Sequence, residues 1–178
     1  MTEPQPQDLE RDAELEAFWA DARTRGNTNR LEALVGANPR GSVRPPAWSF
    51  AADAATADLM LEQLLDGSRT AVTSLELADD GDAVVPEPGD LAIVLDGEGH
   101  PRALVRTVRV VTVRYADVDE ATARADGAAD VEQWRRDNAA VLASALGPGE
   151  EIGDDSLVVV EHLQRVYPAR PRRSGGDG

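Results

Sequence analysis

A chain of 178 residues with 42% hydrophobic and 29% charged residues is long enough for one domain with a sizeable core and too mixed for a fibrous or disordered protein. A net charge of −15 disfavours non-specific binding of long duplex nucleic acid, which rests on clustered positive charge, yet leaves room for a locally basic pocket. The absence of Cys excludes disulfides, thiol nucleophiles and Cys-ligated metals, and every cation is Arg, so no Lys can act as a nucleophile or a tunable base.

The polar, acidic start MTEPQPQDLE lacks a secretory pattern, and no apolar run is long enough to span a membrane, so a cytoplasmic protein is expected. Met1 to Gln7 reads as disordered. Leu15, Phe18, Trp19 and Ala22 then recur at helical spacing, predicting an amphipathic helix over 8–25 that ends near Gly26. A short helix fits Leu31 to Val35. ANPRGSVRPPAWSF is a loop on its prolines and glycine, ending on Trp48 and Phe50, which either plug the core or offer a stacking surface.

Asp53 caps a second helix with an apolar stripe of Ala57, Met60, Leu61, Leu64 and Leu65. Gly67 stands where a helix end wants a left-handed residue. A strand from Thr70 to Leu77 follows. ADDGDAVVPEPGD is turn chemistry; it lacks the longer ligand pattern of a calcium loop. Leu91 to Leu95 and Arg102 to Tyr115 form a hairpin around DGEGHP, which opens no helix and is no dinucleotide site. The second of these strands is long enough to need a bend or a bulge. A short helix over 117–125, a capping box from Asp130 to Gln133, a third amphipathic helix through Trp134 and Leu142, and a strand from Leu157 to Val166 complete the domain, 1–168. Residues 169–178 read as a disordered tail. Two His and no Cys make a zinc site improbable, and no Ser-His-Asp arrangement is visible.

The order is helices, a strand, a hairpin, a helix and a closing strand, which predicts an α+β fold. Its sheet is expected to be a small bent antiparallel one curled toward a barrel, flanked by helices. The glycine, basic residue and Thr/Ser-rich strand of LLDGSRTAVTSLEL, then GDLAIVLDGEGHPRALVRT, then a Trp-Arg helix, then VVVEHLQRVYP resemble the ASCH domain family in register. The resemblance runs from about Phe50 to Pro168 and implies a PUA-like β-barrel with a ligand cleft beside it. It also implies a link to RNA or nucleotide binding.

One branch of that family hydrolyses N4-acylated cytidines with a Lys just after the glycine, a Thr a few residues on, and a Glu in the loop before the last helix. By resemblance these positions are Arg69, Val72 and Asp126. Arg cannot replace a Lys-type base, Val has no hydroxyl, and Asp has a shorter arm than Glu. Along an ideal strand Arg69, Ala71 and Thr73 share one side, and Thr70, Val72, Ser74 and Glu76 the other. Arg69, Thr73 and Asp126 are therefore the candidate catalytic set. Trp48, Arg69, Thr70, Thr73, Ser74, Glu76, Asp126 and Glu161 are the candidate ligand contacts. The expected partner is a small nucleoside, nucleotide or short RNA, with no cofactor and no metal. The readings that remain are a binding module, a hydrolase of N4-acylcytidine-like amides or a ribonuclease with an altered catalytic set, and an interaction domain that keeps only the fold.

Overall fold

The computed structural model describes residues 6–25, 43–76, 86–146 and 151–169. The elements in chain order are α1 (Pro6–Arg25), β1 (Ala47–Ser49), α2 (Ala54–Asp66), β2 (Ala71–Leu75), β3 (Leu91–Leu95) and β4 (Pro101–Arg114). A 3-10 turn (Tyr115–Asp117), α3 (Glu120–Ala125), α4 (Val131–Ala143) and β5 (Leu157–Tyr167) follow. The expected helix at Leu31 to Val35 and the tail beyond residue 169 lie outside the described residues. Helix α1 begins at Pro6, inside the stretch expected to be disordered, and proline suits a first helical turn because its missing N–H would be unpaired there anyway.

The five strands form one sheet in the order β1-β3-β4-β5-β2. The pairs β3–β4, β4–β5 and β2–β5 are antiparallel, whereas β1 runs parallel to β3. Two expectations are corrected here. The sheet is mixed, not antiparallel, and it is open, with β1 and β2 at its edges, not curled into a closed barrel. Strand β1 is only three residues long and follows two prolines, so it adds a short cap to β3 and offers no ladder to carry closure further. Short edges of this kind also give another chain little to pair with.

Helix α2 is bounded as its sequence requires. The Asp53 carboxylate accepts from the backbone N–H groups of Ala55 and Thr56, and Gly67 ends the helix at φ 89°. At α4 Asp130 accepts from the Gln133 N–H at 2.7 Å, and Gln133 reaches back to the Ala129 N–H, so the capping box is offset by one residue. The long strand β4 carries the expected irregularity: its register against β5 shifts between Leu104 and Val105 and again between Thr107 and Arg109.

Three patches of core hold these elements. Helix α2 places Met60, Leu61 and Leu64 against Val94, Ala103, Val105 and Leu163 on one face of the sheet. Helix α1 sets Leu15, Trp19 and Ala22 against Ile93, Leu95 and Leu104 on the other face. The α3–α4 pair covers the far end of that same face, with Trp134 and Leu142 over Val158. Each fully buried aliphatic side chain contributes about 1.5–3 kcal/mol. At the periphery Tyr167 donates to Asp21 at 2.6 Å and His100 meets Glu14, tying α1 to the sheet and to the β3–β4 turn.

Candidate functional site

The segment from Gly67 to Thr70 joins α2 to β2 and is stitched at both ends. The Ser68 N–H donates to Asp66 Oδ1 and the Arg69 N–H returns to the Gln63 carbonyl at 2.9 Å. The Thr70 N–H donates to the Ala125 carbonyl at 2.7 Å, and the Thr70 carbonyl accepts from Leu163 N–H. Arg69 and Asp126 thereby form an isolated antiparallel bridge between the start of β2 and the end of α3. Asp126 follows the last turn of α3, and Gly127 at φ 83° turns the chain toward α4.

Four side chains converge on that bridge. Arg69 Nη1 pairs with Asp126 Oδ1. Asp126 Oδ2 accepts from Thr73 Oγ1 at 2.8 Å and from Trp134 Nε1 at 2.7 Å. Arg69 Nε donates to Gln63 Oε1 at 3.1 Å, and Gln63 Nε2 donates to the Gly127 carbonyl at 3.3 Å. The guanidinium also stands over the Phe50 ring, 5.5 Å from its centroid. Arg69 is 5% exposed and Asp126 1% exposed.

Burial pushes the Asp126 carboxyl up and the Arg69 guanidinium down, each toward its neutral form, and the pairing opposes both shifts. Every group around the carboxylate is a donor: a guanidinium, a hydroxyl and an indole N–H. That surrounding fits the ionised carboxylate, and only the Thr73 hydroxyl could turn to accept a carboxyl proton. Chemically, Asp126 is an acceptor with donors on both oxygens, held deep in the fold.

The expected set Arg69, Thr73 and Asp126 is thus brought together, on the side of β2 that strand alternation assigns to Arg69 and Thr73. Val72 faces the other way and packs against the core beneath α2. Ser74 and Glu76 are exposed and outside the network. Thr70 enters through its backbone only. Trp48 packs edge-on against Phe50, their ring centroids 4.9 Å apart, and so belongs to the core patch under α2. Glu161 pairs in register with Val72, on the face opposite Thr73, where it accepts from the Thr107 hydroxyl. Burial raises its pKa. Gln63 and Gly127 complete the network and were not singled out from the sequence. A DG pair after a short helix marks a turn, but nothing in the pattern of α2 separates Gln63 from a solvated polar residue.

Among the described residues no cluster of acidic and His side chains has the arrangement of a metal site. A concavity of about 320 Å³ lies between α2 and the β3–β4 turn, lined by Asp58, Leu61, Glu62, Leu65, Asp96 and Arg102 among others, and shares no residue with the Arg69 network.

The family model for the ASCH domain matches residues 46–167, from the first residues before β1 to the end of β5. This chain belongs to the ASCH domain family. Among solved structures, the ASCH chain resembles protein EF3133 from Enterococcus faecalis V583, with a TM-score of 0.67 and 22% identity over 89% of this chain and 97% of that one. It also resembles an ASCH domain from Lactobacillus crispatus JV V101, with a TM-score of 0.65 and 23% identity over 81% of this chain and 95% of that one. At these identities the likeness is one of fold. Among curated proteins none matches the chain.

Proposed function

We propose that this ASCH domain binds a small nucleoside or nucleotide beside its sheet and does not hydrolyse it. The observation that carries the reading is the burial of Asp126 with donors on both of its oxygens. Both carboxylate oxygens are occupied by donors and the residue is 1% exposed. A general base must reach the proton it takes, directly or through one water. Asp126 is buried, with Arg69 on one oxygen and Thr73 and Trp134 on the other, so neither oxygen is open to solvent. Arg69 cannot replace a Lys in proton transfer, since its guanidinium stays charged. The network is suited to hold the α2–β2 turn and the α3–α4 loop at fixed positions beside a ligand. The altered hydrolase and ribonuclease readings both need Asp126 or Arg69 to reach substrate, so they rank lower.

The burial of Arg69 also favours a second reading, in which the domain retains the fold as an interaction module and takes no small ligand. One experiment separates the three. The protein is incubated with a panel of nucleosides and nucleoside monophosphates, N4-acetylcytidine included, and thermal shift and product formation are followed together. Stabilisation without product supports binding. Product formation overturns the reading in favour of a hydrolase. Absence of both across the panel supports the interaction module.

A further inference from the structure

The face of the sheet that meets α1 and α3–α4 is covered at its two ends and carries a polar strip between them. Cross-strand partners share a face. On β4 this face runs through Leu104, Arg106, Arg109, Val111 and Val113, and on β5 through Gln164, His162, Val160 and Val158. Helix α1 packs on Leu104, and α3–α4 pack on Val113 and Val158. Arg106, Gln164, Arg109 and His162 lie in between. Arg109 and Gln164 are exposed; Arg106 and His162 are half-buried.

Two arginines three residues apart in a regular strand point to opposite faces, because side chains alternate. Here Arg106 pairs with Gln164 and Arg109 with His162, while the register shifts between Thr107 and Arg109. Val108 is the additional residue, and it is exposed. The bulge rephases the strand and turns both arginines to the same side. Same-face neighbours on a strand stand roughly 7 Å apart, within which two arginine arms can close on one phosphate.

The charge pattern marks this pair as two arginines on one sheet face that no carboxylate neutralises. In a chain of net charge −15, Arg25, Arg44, Arg102, Arg114, Arg124 and Arg136 each take a carboxylate partner. Arg106 and Arg109, like Arg11 on α1 and Arg135 on α4, show no carboxylate partner among the described residues, and these two stand together on one sheet face. The acidic side chain nearest in sequence on β5, Glu161, is on the opposite face with Thr107. Burial pulls the Arg106 pKa down with no carboxylate opposing it, and burial together with Arg109 lowers that of His162, which favours a neutral imidazole able to donate or accept.

We propose that Arg106 and Arg109, brought to one face by the Val108 bulge, anchor the phosphate of a nucleoside monophosphate, with His162 and Gln164 as neutral partners. This inference rests on the small-ligand reading above and names the phosphate as the charged half of the ligand. A mononucleotide suits the strip better than a long polyanion, which the surrounding negative charge repels.

The test is calorimetric titration with the four common ribonucleosides, their 5′-monophosphates and inorganic phosphate. The full chain is compared with Arg109→Gln and with Arg106→Gln/Arg109→Gln. At least one monophosphate is expected to bind about tenfold tighter than its parent nucleoside, the gain of charge-assisted hydrogen bonds. The double variant should lose that advantage and keep the nucleoside affinity. Arg109 is exposed, so Arg109→Gln alone leaves the core untouched and must still lose part of the advantage should the double variant fail to fold. Nucleoside binding with no phosphate advantage, or an advantage undiminished in the variants, overturns the anchor and leaves the small-ligand reading standing. Binding of no nucleoside and no nucleotide overturns both.

Discussion

Trp134 Nε1 donates to the same Asp126 oxygen that receives the Thr73 hydroxyl, at 2.7 and 2.8 Å. One carboxylate thus joins α4 to β2 at the point where α3 ends. With Arg69 on its other oxygen, the link extends to the turn after α2. Three separate stretches of chain meet on a single acidic side chain, and a buried polar hub of this kind is favourable only while every member is satisfied.

Removal of the hub leaves Arg69 as a buried, uncompensated charge. Asp126→Ala is expected to cost about 3–5 kcal/mol, the range for breaking a buried pair from one side. Asp126→Asn should also destabilise, because its amide NH₂ must face one of three donors. Replacing both charges, as in Arg69→Met/Asp126→Leu, should cost less than the sum of the two single changes, with a coupling of roughly 1–3 kcal/mol. Urea denaturation of the four proteins reads the cycle. Additive single variants would show that the pair is not coupled.

Gly127 is the second fixed point. A Cβ there would stand 2.6 Å from Gln63 Oε1 and 2.9 Å from an Arg69 guanidinium nitrogen, on a backbone at φ 83°. Gly127→Ala therefore combines left-handed strain with a push on the two side chains that hold the hub. A loss of about 1–3 kcal/mol is expected. Gly89→Ala is the matched control: its φ is also positive, at 102°, but its Cβ would meet nothing within 4 Å. Equal losses in denaturant melts would refute the contact with Gln63 and Arg69 and leave backbone strain alone.

The parts legible in the sequence were those set by local chemistry. The α2 stop at Gly67, the Asp53 cap and the β3–β4 hairpin each follow from a few neighbouring residues. Placing Arg69 and Thr73 together needed only strand alternation, and their meeting with Asp126 came from the family resemblance. Sheet closure was misjudged because it depends on how the edge strands lie in space, and β1 is too short to show any periodicity. The bulge was expected somewhere in β4, but a run such as RTVRVVTVR has no glycine to mark the extra residue. Its position at Val108, which decides whether Arg106 and Arg109 share a face, becomes visible only in the pairing register. Gln63 was missed for a similar reason, since a polar residue on a helix reads as solvated until the opposing loop is placed.

Glu161 offers a test by pH. It is half-buried, its pKa is raised above the ordinary 4.5 chiefly by burial, and the Thr107 hydroxyl opposes that shift. A carboxyl whose folded pKa exceeds its unfolded value takes up its proton more readily in the folded state. Its stabilising contribution is complete below about 4.5 and is lost as pH rises through the folded pKa. Glu161→Gln keeps an acceptor for Thr107 and cannot ionise. Between pH 4.5 and neutrality the native protein is therefore expected to lose more stability than the variant, so the two curves of unfolding free energy against pH should diverge upward through that window. The rest of the acidic surface titrates alike in both proteins and cancels in the difference. Parallel curves would mean that Glu161 is solvated well enough to ionise at its ordinary pKa, and the face it occupies would then be open to water.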